Sequence, residues 1–237
     1  MRTRSLMSLG MMISLLGCSC SLGDRPASNT NSPAATSKPT FERRETGRAF
    51  LRKGVPETPG YGLYSYILFG APPAESNRDR YLRVLEAFLR IPEITDVEEY
   101  TPACKLNITY LPITEAVSET ATADWFLAHY DYARARILLN SVPGSHRSGP
   151  YIVSTYKPLT GRARLSGQYL FQNMSSVPPQ IVSSWVKAFL AQAEKEHFWE
   201  EDTAMRCVLE VRKAIEIAGD NLPNVKKAIT DWVNWTK

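Results

Sequence analysis

The amino-acid sequence predicts an α+β domain, in which a small sheet of about four strands packs with helices and the C-terminal third is helical. Two observations support this class. Strand-like and helix-like hydrophobic patterns alternate in the first half of the folded region, and only helical spacing follows residue 178. The length suits one domain or two small ones, and we expect residues 60–237 to form a single globular domain.

Four segments have the composition and length of strands. Each is rich in aromatic, β-branched or aliphatic residues, and glycine or proline lies at or near its ends. Pro112 has no amide hydrogen to donate to a ladder, so it places its end of the second segment at a sheet edge or a strand terminus. The expected strands are 61–69, 106–113, 150–156 and 168–172.

The first two expected helices lie between these strands. Apolar residues at helical spacing follow Ser76, which is a typical N-cap residue, and Pro92 ends the pattern. A second pattern begins at Thr120 or Thr122 and runs to about Asn140. Its expected apolar face consists of Phe126, Tyr130, Ala133 and Ile137. We therefore expect one continuous helix between the second and third strands.

Three more helices are expected after the last strand. A pair of prolines at 178–179 starts the first of them, and its apolar face includes Trp185 and Phe189. Similar patterns cover residues 205–219 and 223–233. These three helices make up the predicted helical C-terminal third.

Two segments precede the predicted domain. Residues 41–59 are charged and contain glycine and proline, and we expect a mixed entry segment with a short helix over 44–51. Residues 18–40 are expected to form a flexible tether, because 17 of the 22 residues after Cys18 are Ser, Thr, Asn, Pro, Ala or Gly. A flexible coil of that length spans about 25 Å on average.

The N-terminal residues have the features of a signal peptide. Arg2 and Arg4 give a positive start, and an apolar core of 12 residues follows at 6–17. That core is shorter than the roughly 20 residues that a transmembrane helix needs. We therefore expect residues 1–17 to direct export rather than to span a membrane.

The end of this core, Leu-Leu-Gly-Cys at 15–18, resembles the lipobox of bacterial lipoproteins. In that family the cysteine thiol receives a diacylglyceryl group and the chain is cut before it. The resemblance implies a lipid anchor on Cys18, which would hold the mature chain to a membrane of the bacterial cell envelope, facing the periplasm. In enterobacterial lipoproteins a residue other than aspartate after the cysteine favours the outer membrane, so with Ser19 the resemblance implies the outer membrane rather than the inner one.

Charge and composition narrow the range of partners. Loss of Arg2 and Arg4 with the signal peptide reduces 28 basic residues to 26, against 24 acidic residues. A mature chain so close to neutrality does not have the charge of a nucleic-acid-binding protein. Besides the membrane reached through Cys18, we expect an envelope protein or a glycan as the partner.

Four cysteines occur, at positions 18, 20, 104 and 207. In an oxidising compartment Cys104 and Cys207 could form a long-range disulfide, and the alternative is a pair of buried thiols. Their spacing does not decide between the two. No Cys-x-x-Cys pair or Cys/His cluster has the spacing of a zinc site, and we expect neither metal nor cofactor.

Residues 143–150, Pro-Gly-Ser-His-Arg-Ser-Gly-Pro, form the most suggestive polar cluster and join the second helix to the third strand. Arg147 and the loop amides could hold an anion, and His146 could act as a general base for Ser145 or Ser148. We favour a plain polar connection, because a catalytic Ser–His pair needs a third group that orients the histidine.

Two further patterns each have a structural and a functional interpretation. Glu194-x-x-His197 has the spacing of half a carboxylate-bridged metal site, but a solvated helix end is the simpler interpretation. Several tyrosines on two expected strands could stack sugar rings, whereas we favour core packing for them. They are Tyr61, Tyr64, Tyr66, Tyr151 and Tyr156.

The leading functional hypothesis is a non-enzymatic envelope lipoprotein that binds or assembles with a partner. It follows from the lipobox, the tether, and a sequence that contains none of the common phosphate-binding, metalloprotease or α/β-hydrolase motifs. The alternative is an envelope hydrolase that uses the 143–150 loop, with His146 and either Ser145 or Ser148 as its reactive groups.

Replacing Cys18 with serine removes the thiol that lipid attachment would require. We expect Cys18→Ser to leave the membrane fraction or to persist as an uncleaved precursor, since two or three acyl chains are what hold such a chain firmly. Cell fractionation with mass spectrometry of the N-terminus measures both outcomes. Cys20→Ser is the matched control and should remain anchored; a fully processed Cys18→Ser chain that still fractionates with membranes would contradict the prediction.

Overall fold

The computed structural model describes residues 44–195, except for 119, 144–147, 162–163 and 166–168. Within these residues it confirms the α+β class, with one mixed sheet and five α-helices; the helices expected over 205–219 and 223–233 lie outside the described residues. The strands are β1 Glu45–Arg52, β2 Leu63–Phe69, β3 Leu106–Ile113, β4 Pro150–Thr155 and β5 Tyr169–Asn173. The helices are α1 Arg78–Leu89, α2 Ile94–Glu98, α3 Ala123–Ala128, α4 Tyr132–Asn140 and α5 Pro179–Ala193.

The sheet has the strand order β1-β3-β2-β4-β5. β1, β3 and β2 run parallel, β4 is antiparallel to β2, and β5 is antiparallel to β4. The connection from β2 to its parallel neighbour β3 contains α1 and α2, whereas β4 and β5 follow each other in the chain and pair antiparallel.

The expectation of a helix over residues 44–51 was wrong, because Glu45–Arg52 is strand β1 and pairs along its whole length with β3. Side chains of β1 alternate between the two faces of the sheet. Phe50 packs on the aromatic rings of α1 and α3, while Leu51 is buried on the opposite face. Pairing with a distant strand therefore decides the conformation, and the sheet has five strands because it begins inside the expected entry segment.

One side of the sheet, here called the helix face, is covered by α1, α3 and α5. Phe50 lies 5.7 Å from Phe88 of α1 and 5.1 Å from Phe126 of α3, centroid to centroid. α1 packs along α5, and Trp185 and Phe189 of α5 are buried as the sequence predicts. This face holds the main apolar core.

The other side, here called the loop face, is covered by connecting segments that hydrogen-bond to tyrosines on the strands. The Thr58 amide donates to the Tyr110 hydroxyl at 2.9 Å, and the Leu159 amide donates to the Tyr66 hydroxyl at 3.1 Å. Buried phenols thus accept hydrogen bonds from the amides of the loops that cover this face. α4 packs against β2 and lies beside the same loops.

β2 and β3 pair only over Leu63–Tyr66 and Asn107–Tyr110, so their carboxyl ends diverge. Tyr130 fills the gap. Its hydroxyl donates to the Ile67 carbonyl at 3.0 Å and accepts from the Phe69 amide at 2.9 Å. Complete burial raises the pKa of the Tyr130 phenol well above its ordinary value, because phenolate would be desolvated there.

The backbone around Tyr130 completes the other side of the same gap. The Asp131 amide donates to the Pro112 carbonyl at 3.2 Å, and the Thr114 amide donates to the His129 carbonyl at 2.9 Å. Pro112 thus lies beyond the residues that pair with β2, which confirms that it marks a strand terminus. Residues 129–131 form an antiparallel bridge with the end of β3, which a helix could not supply.

The expectation of a single helix ending near Asn140 was wrong. Because residues 129–131 pair with β3, two helices, α3 and α4, take its place. Thr122 caps α3 by accepting from the Trp125 amide, and the Asp131 carboxylate caps α4 by accepting from the Arg134 amide. The interruption changes which side of the second helix is buried. Ile137, expected on the apolar face, is 67% exposed, whereas Ala135, Leu138 and Leu139 are buried.

The start of α1 differs from the prediction, while its end agrees. Ser76 lies in a 3-10 turn, and the helix begins at Arg78 after Asn77, whose side chain makes no capping hydrogen bond. At the other end the Arg48 guanidinium of β1 donates to the Leu89 carbonyl at 2.7 Å, before Pro92. A strand side chain therefore caps the helix that crosses it.

Tyr130→Phe should destabilise the domain by about 1–3 kcal/mol, because the Ile67 carbonyl and the Phe69 amide lose their shared partner in a dry core. The ring itself remains, so its contact with the Phe69 ring is kept. Urea unfolding followed by circular dichroism measures the change. Tyr132→Phe is the matched control, since its half-buried hydroxyl makes one long bond of 3.4 Å; equal effects of the two variants would contradict the role assigned to Tyr130.

Candidate functional site

Six of the candidate site residues lie outside the described residues. They are Cys18, Ser145, His146, Arg147, His197 and Cys207. Ser148 is described and is exposed. Cys104 lies half-buried in a 3-10 turn before β3. The hydrolase constellation, the anion site, the lipidation site and the disulfide all remain predictions.

The described end of the 143–150 loop is fixed to α1. The Gly149 amide donates to the Tyr81 hydroxyl at 2.9 Å. Gly149 has a φ of +89°, and a Cβ there would lie 1.8 Å from Ser175 Oγ, so only glycine fits. This end of the loop therefore has a clear structural role.

The tyrosines that could have stacked sugar rings form part of the core, as the favoured interpretation predicts. Tyr64, Tyr66 and Tyr151 are at most 3% exposed, and Tyr61 is 9% exposed. Tyr156 is half-buried with the Arg44 guanidinium 5.5 Å from its ring centroid. None of the five presents an open aromatic face on the sheet.

A buried carboxylate, Glu57, lies over the loop face and was not identified from the sequence. It accepts from the Tyr66 hydroxyl at 3.2 Å and from the Thr160 amide at 2.9 Å. Burial, followed by the nearby charge of Glu57, raises the pKa of Tyr66 well above its ordinary value. Because Glu57 ties two loops to the sheet, its position has a structural explanation.

A row of polar side chains crosses the helix face at one level of the sheet. Thr46 donates to Glu194 Oε1 at 2.6 Å, and Asn107 Nδ2 donates to Thr46 Oγ1 at 3.1 Å. Ser65 donates to Asn107 Oδ1 at 2.9 Å and lies 2.6 Å from the Ser154 hydroxyl. Ser65 and Ser154 are completely buried, so they cannot serve as nucleophiles toward an external substrate.

Glu194 is therefore not part of a solvated helix end, and that expectation was wrong. It follows the last residue of α5 and is 7% exposed. The Thr46 hydroxyl donates a hydrogen bond to the Glu194 carboxylate, and the Glu194 backbone carbonyl accepts from the Arg44 amide at 3.2 Å. Polar residues recurring within apolar strand segments were the signal for this arrangement, but only strand register reveals their contact.

Glu194 lines two adjoining depressions, here called together the α1–α5 groove. They share Thr46, Pro92 and Glu194, and their volumes are about 440 and 380 Å³. The larger one lies between α1 and α5, and its apolar lining is formed by Ala87, Ile91, Pro92, Val186, Leu190 and Ala191. This mixture of apolar walls and few polar groups is typical of a binding site.

Charges are unevenly placed along the α1–α5 groove. Arg90 and Lys187 line the larger depression and are exposed, whereas the Glu194 carboxylate is buried. Lys187 precedes Glu194 by about two helical turns, which corresponds to roughly 10 Å. The groove can therefore contact an apolar group while presenting opposite charges at separate points.

No protein-family model, curated protein or solved structure matches this chain. Within residues 44–195 and outside their gaps, no group of three histidine, cysteine, aspartate or glutamate side chains could hold a metal ion. The helices of that same part of the chain are all too short or too polar to cross a membrane. We therefore interpret the α1–α5 groove from its own geometry.

The raised pKa of Tyr66 predicts a loss of stability in alkaline solution. An unfolded tyrosine titrates near pH 10, whereas the folded chain keeps this phenol protonated to higher pH. The folded state then binds more protons above about pH 10, so the free energy of unfolding falls as the pH rises beyond that value. Tyr132, whose pKa is raised to about 12 by burial, adds to the same fall between pH 10 and 12.

Tyr66→Phe should reduce the decrease in the free energy of unfolding above about pH 10, because the variant lacks one of the phenols that cause it. At pH 7 the variant should also lose about 1–3 kcal/mol, because Glu57 and the Leu159 amide lose a buried partner. Urea unfolding at several pH values from 7 to 11 measures both effects. Tyr100→Phe, which removes a phenol of a 69% exposed residue, is the control; an unchanged alkaline fall in Tyr66→Phe would contradict the assignment.

Proposed function

We propose that this chain is a lipid-anchored protein of the bacterial cell envelope, and that it binds a peptide segment of an envelope partner in the α1–α5 groove without catalysing a reaction. The observation that carries the proposal is the Leu-Leu-Gly-Cys motif at 15–18, which ends an apolar core of signal-peptide length. The groove supplies the surface on which an anchored protein of this kind can act.

The anchor and the tether support an attachment that is firm but leaves the domain free to reach a partner. A single acyl chain binds a membrane only marginally, and two or three hold a protein essentially permanently. The tether of residues 18–40 then keeps the domain within about 25 Å of the bilayer on average. On this proposal the chain faces the periplasm, and Ser19 favours the outer membrane.

The chemistry of the α1–α5 groove favours a peptide segment as the ligand. An apolar side chain fits between α1 and α5, where Ile91 and Leu190 form opposite walls. Arg90 and Lys187 line the same groove and can attract a carboxylate. Peptides carry both kinds of group, apolar and acidic, at such separations.

The hydrolase alternative has less support. Its general base, His146, and one of its serines, Ser145, lie outside the described residues, and Ser148 is exposed. The buried hydroxyls of Ser65 and Ser154 hydrogen-bond to each other inside the sheet. Binding is the function that we propose, because a catalytic Ser–His pair needs a third group that orients the histidine, and the 143–150 loop contains no carboxylate.

Photo-crosslinking in living cells tests the proposal. A photoreactive amino acid in place of Lys187, which lines the α1–α5 groove, should give a discrete adduct with one envelope protein. The same reagent in place of Ser176, which is exposed away from the groove, should not. Adding Ala191→Arg should reduce the adduct at least about fivefold, because a long side chain then fills the groove.

The folding and the anchor of these variants need separate readouts. Thermal unfolding shows whether Ala191→Arg retains the wild-type fold, and labelled palmitate shows whether Cys18 carries lipid. Equal adducts at Lys187 and Ser176, or an adduct unaffected by Ala191→Arg, would contradict binding in the groove. A correctly folded chain without lipid would contradict the proposed anchor. Binding in the α1–α5 groove would then be tested by the crosslinking result alone.

A further inference from the structure

A second depression, of about 660 Å³, lies on a different part of the molecule, between the loop after β1 and the start of α4. Its lining includes Lys53, Val55, Arg134, Ile137 and Thr160. The proposed peptide-binding function does not involve this surface. We call these residues, with their exposed neighbours Arg52 and Arg136, the α4 surface.

Two large aliphatic side chains on the α4 surface are exposed to solvent. Val55 is 50% exposed and Ile137 is 67% exposed, and both line the same depression. Ile137 is directed outward because the helix break at 129–131 changes which side of α4 is buried. Among the described residues the other exposed large hydrophobic side chain is Tyr100, which lies by the α1–α5 groove. Paired exposed aliphatics around one depression indicate an interaction surface.

Four cations accompany these aliphatic side chains. Lys53 and Arg134 line the depression, and Arg52 and Arg136 are exposed beside them in the chain. The Arg134 guanidinium donates to the Arg52 carbonyl at 2.6 Å, which joins the loop to α4. The α4 surface therefore combines apolar side chains with a local excess of positive charge.

The acidic groups close to this surface have other contacts. The Asp131 carboxylate is buried and caps α4, and the Glu57 carboxylate is buried against Tyr66 and Thr160. Glu115 is exposed and lies 3.7 Å from His129 Nε2. The four cations are exposed or half-buried, whereas two of the three acidic side chains are buried, so positive charges predominate at the outer surface.

We propose that the α4 surface rests on an anionic phospholipid bilayer, with Val55 and Ile137 entering the headgroup region and the four cations contacting lipid phosphates. The proposal rests on the lipid anchor proposed above. Apolar side chains beside lysine and arginine are the usual composition of interfacial membrane contacts. Because a tether of about 25 Å keeps the domain close to the bilayer, even a weak contact is occupied much of the time.

Vesicle co-sedimentation tests this inference independently of lipidation. The mature chain, residues 18–237, is prepared with Cys18→Ser so that it carries no lipid. It is mixed with vesicles of phosphatidylcholine alone or with 30% phosphatidylglycerol. We expect at least about tenfold stronger binding to the anionic vesicles, and a loss of most of that preference in high salt, since charges at a membrane surface are screened by ions.

Two variants of the α4 surface separate its charge from its apolar contact. Lys53→Glu with Arg136→Glu should weaken binding to anionic vesicles at least about tenfold, because each reversal replaces attraction with repulsion. Ile137→Ser should weaken it about threefold or more. Matched controls in the α1–α5 groove are Arg90→Glu with Lys187→Glu, and Tyr100→Ser beside it; each should stay within about twofold of wild type.

The possible results either support or overturn the inference. Weaker binding by the α4-surface variants alone supports it. Equal binding to both vesicle types, equal losses in the controls, or no vesicle binding by the wild-type chain overturns it. A lipid-free Cys18 in cells would instead overturn the proposed anchor, and it is detected separately by palmitate labelling.

Discussion

The arrangement of the domain depends on the gap between β2 and β3. The two strands stop pairing after Tyr66 and Tyr110, and the backbone groups beyond that point lie in a core where an unpaired amide or carbonyl costs about 1–3 kcal/mol. Residues 129–131 satisfy both strands at once, β3 through the backbone and β2 through the Tyr130 hydroxyl. One phenol and a three-residue bridging segment thus replace the missing part of the ladder.

This constraint also determines where the neighbouring helices lie. The backbone groups of a continuous helix are hydrogen-bonded within the helix and could not pair with the strands. The chain therefore ends α3 before this segment and begins α4 after it, with Asp131 as the N-cap. Phe126 of α3 packs on the helix face, whereas α4 lies beside the loops that cover the other face. Both the apolar core and the exposed side of α4 therefore follow from the same interruption.

The parts of the fold that local patterns determine were predictable from the sequence. β2–β5 and α5 are defined by their own apolar residues and by nearby proline or glycine. β1 was missed because Gly47 and its two arginines give it little strand character, and its partner β3 lies about sixty residues later. The break before Asp131 and the burial of Glu194 were missed because both depend on contacts between distant segments. Of the suggested catalytic loop, the structure describes Pro143 and Ser148–Pro150, so the sequence remains the basis for its other residues.

The polar row from Thr46 to Ser154 determines the register in which four strands of the sheet pair. Successive side chains of a strand point to opposite faces, so a shift of one residue in β2 or β3 would carry Ser65 or Asn107 out of the row and replace it with a tyrosine, leucine or isoleucine. A purely aliphatic row would tolerate such a shift at small cost, but a dry hydrogen-bonded row cannot, since its remaining members lose their partners. The row thus restricts the sheet to a single strand register. Its main contribution is to the uniqueness of the native state rather than to the free energy of unfolding.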